Sequence, residues 1–357
     1  MRILHCIPTL ESGGAERQLT YLAEGLVALG HEVHVASMLD GALASRLRSH
    51  GAIVHRLGWR EPFDPSLVAS LGRIIVAARA EVVQTWLRRM DIAGGVAAMI
   101  TGRPWIYSER TVWQAGGWRQ NLRLRLIAHS AAVVANSEHA AAVLRPILRR
   151  SQPLHVIANA LPREEIEATP RASLRALGIP EEAELVLYVG RFAAEKNIGL
   201  LAAALGDLLI RRPRAVALCC GEGPFRSSFS RAIRDRGVGE RLFAAGQRDD
   251  VWSWLKRADA LISTSDFEGR PNAVLEAMAC GCPLAITDIP AHREIADDET
   301  AALYPAGSVA GAVAALERVL DDRPAARQRA ARAAERVRPH SIENTARAYG
   351  IIYDQLG

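Results

Sequence analysis

The chain has 357 residues, 49% of them apolar and 23% charged, with a formal net charge of +5. That length suits two domains of ordinary size, each with its own core, and the composition excludes a disordered chain. No stretch approaches the ~18 uninterrupted apolar residues of a membrane span, since the longest candidate, residues 92–100, carries two glycines.

The first half holds the positive surplus. Residues 1–165 contain 19 arginines, no lysine and 13 acidic residues. A basic half points to an anionic partner, whether nucleic acid, a membrane surface or a phosphorylated substrate. The opening "RILHCIPTL" reads as a first β-strand and not as a signal peptide. His5 and Pro8 interrupt its apolar run, and no small-residue cleavage pattern follows. Next come "ESGGAERQ", an amphipathic run from Leu19 to Leu29 stopped by Gly30, and the strand "HEVHVASM". That order is a βαβ unit. Gly13 and Gly14 permit close backbone approach to a ligand, although a plain tight turn explains them equally well.

Further strands are expected at "EVVQTW", "WIYS" and "AAVVANS". Glu109 and Arg110 follow one of them. The segment from Trp118 to His129 reads as a helix, with Trp118, Leu122 and Leu126 on one stripe and Arg119, Arg123 and Arg125 beside it. It suits an interfacial helix on an anionic membrane, or an ordinary helix on the first domain's core. His129, His139 and His155 read as packing or surface residues.

Residues 160–180, rich in Pro and charge, read as a linker. "ELVLYVGRFAAEKN", the apolar run from Ile198 to Ile210 and "AVALCCGEGP" then repeat the βαβ order. Gly190 ends a strand, and Arg191 and Lys196 follow it. The chain has only two lysines, Lys196 and Lys256, against 42 arginines. Arg191 and Lys196 could hold a diphosphate leaving group and neutralise its charge, or be plain surface cations. Gly221 and Gly223 form another strand-end loop. Arg248 is a candidate for a nucleobase, or for solvent. Strands at "LFAAG", "ADALISTS" and "CPLAITD" follow, and an Ala/Arg-rich helix from Ala325 to Arg338. Cys6, Cys219, Cys220, Cys280 and Cys282 have no zinc-like spacing and read as buried, reduced thiols.

"SDFEGRPNAVLEAMACGCP" carries the chemistry. Residues 266–271 are a loop, Asn272 an N-cap, and a helix starts near Ala273 and stops at Gly281. Its free N–H groups make an anion site. Glu276 lies one turn in and leans back toward the helix start. Glu268 approaches from the loop. Two acceptor-only carboxylates flanking a phosphate site suit a nucleoside diphosphate sugar. A solvated Glu268 and a helix-bonded Glu276 are the plainer alternative on spacing alone. Strands alternating with helices give an α/β fold with parallel sheets covered on both faces and ligands at strand carboxyl ends.

With "GGAERQ", "GHEVHVAS", "VGRFAAEKN", "GEGPFR" and "ADALISTSDFEGRPNAVLEAMACGCPLAITD", the chain resembles the retaining glycosyltransferases of family four (glycosyltransferase group 1). The resemblance implies the GT-B architecture, two tandem Rossmann-like domains with parallel sheets facing a central cleft. Residues 1–168 would be the acceptor side and 169–340 the donor domain, with 341–357 packing back on the first. It implies a hexosyltransferase using a UDP- or GDP-sugar, a polysaccharide or lipid-linked oligosaccharide acceptor, and no metal or other cofactor. Glu268 would face the donor sugar and Glu276 the ribose. The N–H groups of Ala273 and Val274, beside Asn272, would meet the diphosphate. Arg191 and Lys196 would stabilise the departing phosphate, and Gly14 would line the first domain's phosphate side. Gly190, Gly221 and Arg248 count as further donor-site residues. The expected location is cytoplasmic, with a peripheral seat on the inner face of the cell membrane. No nucleic acid is expected, because no aromatic-interleaved basic motif appears. Many relatives carry a first-domain His near the reacting sugar. Here "QTWLRRMD" and "IYSERTVW" stand at the corresponding strand ends, so that group stays unassigned, with Glu109 and Arg110 as candidates for acceptor or sugar contact or as a structural pair. The alternatives are a nucleotide-sugar 2-epimerase-like isomerase and a non-catalytic nucleotide-sugar-binding protein.

Overall fold

A computed structural model describes residues 1–11, 13–58, 65–110 and 117–357, side chains 117–119 and 121 excepted. The chain divides into two compact units, Met1–Pro162 with His340–Gly357, and Arg163–Pro339.

The first unit opens with β1 (Arg2–Thr9), α1 (Gly14–Ala28), β2 (Glu32–Leu39), α2 (Ala42–Ser49), β3 (Ile53–Arg56) and α3 (Pro65–Ala77). It continues with β4 (Val82–Trp86), α4 (Leu87–Ile100), β5 (Trp105–Glu109), α5 (Gly117–Ile127), β6 (Ala132–Ala135), α6 (Glu138–Leu144) and β7 (Leu154–Val156). The second unit begins with α7 (Arg163–Ala168), β8 (Glu184–Val189), α8 (Ile198–Arg211), β9 (Ala215–Cys220), α9 (Arg226–Asp235) and β10 (Leu242–Gly246). After it come α10 (Val251–Arg257), β11 (Ala260–Ser263), α11 (Asn272–Ala279), β12 (Leu284–Asp288), α12 (Pro290–Arg293), β13 (Ala302–Pro305), α13 (Val309–Asp321) and α14 (Arg323–Arg336). The chain then returns to the first unit as α15 (Ile342–Asp354).

The first sheet has seven strands in the order β3-β2-β1-β4-β5-β6-β7, all parallel. Its inner strands are covered on both faces, so β1 is nearly continuously apolar. Ile3 and Ile7 pack with Leu19, Leu22 and Leu26 of α1 and with Tyr349 and Tyr353 of α15. Leu4 and Cys6 point the other way, toward Leu71, Ile75, Trp105 and Tyr107. A Cβ at Gly25 would come within 2.6 Å of the Ala346 Cβ, so this glycine lets α15 lie against α1.

The second sheet is also parallel, in the order β10-β9-β8-β11-β12-β13. Its strand order reverses between β8 and β11, and a crevice opens at such a switch point. The described cysteines are all free, and Cys219 and Cys220 are both buried on β9.

Several expectations change. The proposed linker, residues 160–180, holds α7 and a 3-10 turn at Leu174–Leu177. Three strands, β3, β7 and β13, go beyond the expected set, being only three or four residues long. Among the described residues no helix is long and apolar enough to cross a membrane.

Candidate functional site

The switch point of the second unit gathers the predicted motif residues. After β8 the chain runs through Gly190 and Arg191 to a 3-10 turn that ends at Lys196. Asn197 follows in the left-handed region, at φ +46, and its side-chain oxygen caps α8 by accepting the Leu200 N–H at 3.1 Å. The same side chain donates to Asp266 at 3.0 Å. The Asp266 N–H donates to the Glu195 carbonyl at 3.0 Å, and the Thr264 hydroxyl to the Lys196 carbonyl at 2.7 Å. The loops after β8 and β11 are thus laced together, which brings Lys196 onto Glu268. The Lys196 ammonium pairs with Glu268 Oε1, and the Ser265 hydroxyl donates to that same oxygen at 2.7 Å. Only 19% and 11% of the two charged side chains is exposed. They line a pocket with Ser265, Pro271, Ala273 and Val274.

At the start of α11 the sequence expectation needs correction. Pro271 and not Asn272 takes the N-cap position, and Asn272 is the first helical residue. A fixed φ and no N–H suit proline to a helix start. The Pro271 carbonyl accepts from both Val274 N–H (3.0 Å) and Leu275 N–H (3.1 Å), and Asn272 N–H donates to the Arg270 carbonyl at 3.0 Å. The Val274 N–H, expected at a diphosphate, is therefore already bonded within the helix. Among the described residues the Ala273 N–H has no partner, so it is the open donor of this turn.

Glu276 is buried and accepts the Trp252 indole N–H at 3.1 Å. Sequence reasoning missed Trp252. The available signal was weak: a half-buried indole N–H favours an acceptor, and "DVWSWL" lies one strand before the glutamate.

The other predicted donor-site residues are placed differently. Arg191 does not line the pocket. Its side chain is 69% exposed and pairs with Glu195 at 2.6 Å. Arg248 grips both Asp250 oxygens at 2.6 Å, with its guanidinium 5.5 Å from the Trp254 ring centre. Gly221 has φ +146, and a side chain there would overlap the Gly190 carbonyl oxygen. Gly223, at φ +154, meets the Phe192 carbonyl in the same way. These glycines let the β8 and β9 loops pack on each other. Gly190 N–H is bonded to the Cys220 carbonyl at 3.0 Å.

A buried polar layer, also missed from sequence, backs Glu268. The Thr287 hydroxyl donates to the Ser265 carbonyl at 2.7 Å. His292 Nδ1 lies 2.7 Å from the Thr287 carbonyl, which makes Nδ1–H the donor. Burial pulls the His292 pKa below the usual imidazole value.

In the first unit, Gly13 is the N-cap of α1 and Gly14 its first residue. A side chain on Gly13 would overlap the Glu16 carboxylate, so Glu16 itself sits over this turn. Burial pushes the Glu16 carboxyl up from its ordinary value.

Glu109, at the end of β5, is fully buried. It accepts the Tyr107 hydroxyl at 2.5 Å and lies 3.4 Å from Arg123, which pairs with Asp91 at 2.9 Å. This makes Glu109 part of an internal ionic cluster. Of the two readings of α5, the ordinary helix on the first domain's core fits these contacts, because Arg123 is only 3% exposed while Leu124 and Ile127 join the core. Arg125 is exposed, and Trp118 and Arg119 have side chains outside the described set. Arg110 stacks 4.4 Å over the Trp86 ring, donates to Asn159 at 2.8 Å and reaches the Tyr349 hydroxyl. His129 and His139 are exposed and His155 is half-buried.

Two family models match the chain: Glycosyltransferase Family 4 over residues 12–165 and Glycosyl transferases group 1 over residues 171–337. The lipopolysaccharide core biosynthesis mannosyltransferase LpsB of Rhizobium meliloti is 28% identical over 191 residues, covering 51% of this chain and 54% of that protein. The 2-deoxystreptamine glucosyltransferase of Streptomyces kanamyceticus is 28% identical over 251 residues, 65% of each chain. The chain thus spans less than two thirds of the length of these relatives. The Anabaena HepE structure in complex with UDP and glucose superposes with a TM-score of 0.89 at 19% identity, over 100% of both chains. At that identity the likeness speaks to the fold.

Proposed function

The chain belongs to the group 1 glycosyltransferases, and on that premise we propose that it moves a hexose, with retention, from a UDP- or GDP-sugar to a polysaccharide or lipid-linked oligosaccharide. The observation that carries this reading is the meeting of Lys196 and Glu268 at the amino end of α11, with Glu276 held one turn inside. In it, the Ala273 N–H and the Lys196 ammonium take the diphosphate, and Glu276 accepts from the ribose hydroxyls. Glu268 accepts from the sugar hydroxyls. As the bond from the anomeric carbon to the phosphate oxygen breaks, negative charge grows on that phosphate, and a fixed ammonium meets it. The acceptor hydroxyl attacks on the face the nucleotide leaves, and its proton passes to the departing phosphate oxygen. Arg191 joins only by leaving Glu195. No metal is called for, since Lys196 supplies the positive charge.

The donor class is supported by the HepE complex with UDP and glucose. The acceptor class is supported by the lipopolysaccharide core role named for the Rhizobium relative. The cytoplasm, with a peripheral seat on the membrane, is the location that such an acceptor favours.

A thermal-shift screen of UDP- and GDP-hexoses tests the donor reading, because a ligand bound only by the folded state raises the melting temperature. One of them is expected to shift the wild type, and Glu276→Ala to abolish most of that shift. No shift at millimolar concentration defeats the reading. Product from donor alone, without acceptor, would favour the epimerase-like alternative.

A further inference from the structure

Resting on that donor-site reading, we infer that Ser265 is a positioning residue that decides which oxygen of Glu268 is offered to the donor sugar. Glu268 Oε1 is held by two donors, the Lys196 ammonium and the Ser265 hydroxyl at 2.7 Å. Glu268 Oε2 has no partner among the described residues and belongs to a side chain that lines the pocket. A terminal carboxylate torsion is broad and two-fold when left alone. Two donors on one oxygen remove that freedom and present the other oxygen in one direction. A carboxylate only accepts, so Oε2 selects for a hydroxyl at one place on the sugar ring.

Ser265 is itself fixed from behind. It is 1% exposed, and its carbonyl accepts the Thr287 hydroxyl at 2.7 Å. Its single hydroxyl proton goes to Glu268. The Ser263 hydroxyl lies 3.4 Å from Ser265 Oγ and 3.5 Å from His292 Nε2. Since His292 Nδ1–H donates to the Thr287 carbonyl, its Nε2 is an acceptor. The Ser263 proton therefore has two acceptors, Ser265 Oγ and His292 Nε2, and leaves the Ser265 proton to Glu268. Four side chains from β11, its following loop, β12 and α12 thus place the Ser265 hydroxyl, which lies 2.7 Å from Glu268 Oε1 against 3.4 Å from Ser263 Oγ.

The test is a double-mutant cycle read on binding, with UDP, GDP and their glucose, galactose and mannose esters as probes. Ser265→Ala should leave affinity for the bare nucleotide within about twofold, while discrimination among the hexose epimers falls about tenfold, as for a lost hydrogen bond to a charged group. Ser265→Cys, of similar volume and with a weak donor, should fall between. In a Glu268→Ala background, Ser265→Ala should cost nothing further. Unchanged epimer discrimination in Ser265→Ala, or additive effects in the double variant, overturns the inference and leaves the donor site intact. A wild type that binds none of these probes defeats the donor-site reading, and this inference with it.

Discussion

Arg123 and Asp91 form an ion pair at 2.9 Å inside the first unit, with 4% and none of their side chains exposed. The pair lies 32 residues apart in sequence, between α5 and α4. Glu109 and Tyr107 complete the cluster around the one guanidinium. Removing the cation leaves buried acids uncompensated. Arg123→Ala is expected to cost roughly 3–5 kcal/mol, as for breaking a buried ion pair from one side. Urea denaturation above the Asp91 titration, at about pH 8, followed by tryptophan fluorescence, reads it. Arg125→Ala, on the exposed side of the same helix, should leave the midpoint unchanged. Equal, small effects would mean that the helix is held by its apolar residues alone.

The same cluster makes a pH prediction. Burial pushes the Asp91 carboxyl up to about 7, with Arg123 opposing and Glu109 adding to the rise. In the unfolded chain it titrates near the ordinary value of about 4. The folded state therefore binds the proton more tightly. Its contribution to stability is complete below about pH 4 and is lost as pH rises through about 7. Asp91→Asn removes this dependence. Its melting temperature relative to wild type should climb between about pH 4 and pH 7 and then level off. A constant difference across that range would show that Asp91 is ionised in the folded chain.

How much of this was legible beforehand follows from the kind of contact involved. The alternation of strands and helices showed in the hydrophobic pattern, because period and turn residues are local signals. The placement of Glu268, Glu276 and Lys196 was legible because each sits beside a strand end or helix start, a position written in consecutive residues. Arg123 was not, because helical periodicity shows which residues share a face, not whether a carboxylate from another helix waits beneath it. Ser265, Thr287 and His292 form their layer only when β11, β12 and α12 come together, so no single stretch announces it. The helix start was off by one position because proline, not asparagine, takes the cap of α11.

Gly221 carries a stability prediction of its own. At φ +146 a residue with a side chain is strained, and here its Cβ would also overlap the Gly190 carbonyl oxygen. Gly221→Ala should destabilise the second unit by more than about 2 kcal/mol. Gly237 has φ +71, and a methyl group there would meet nothing within 4 Å. Gly237→Ala should therefore cost only the left-handed backbone penalty, about 1 kcal/mol. Thermal unfolding of the two variants separates overlap from dihedral strain. Similar losses would mean the β8 and β9 loops can move apart.

Trp252 holds Glu276 through one bond at 3.1 Å. Trp252→Phe keeps most of the apolar bulk and removes the donor. The expected effect is a loss of about five- to tenfold in nucleotide affinity, seen by isothermal titration, since a hydrogen bond to a charged group is removed. The loss should vanish with a 2′,3′-dideoxy nucleotide, which offers Glu276 no ribose hydroxyl. If both nucleotides weaken alike, Trp252 acts through packing and not through the carboxylate.

Lys196 can be separated from its partner by kinetics. It sits on Glu268 Oε1, yet an ammonium has three hydrogens, so it can keep the carboxylate and still take a phosphate oxygen. In the proposed transfer, charge on that phosphate is greatest as the sugar departs. An interaction strengthened at that moment appears in kcat and little in KM. Lys196→Gln should therefore lower kcat by about 100-fold or more, the usual cost of losing one preorganised group aimed at developing charge. Arg191→Gln separates the two cations. If the exposed Arg191 stays with Glu195, its kcat stays near wild type; a loss matching that of Lys196→Gln would mean that donor binding pulls Arg191 off Glu195 and into the site.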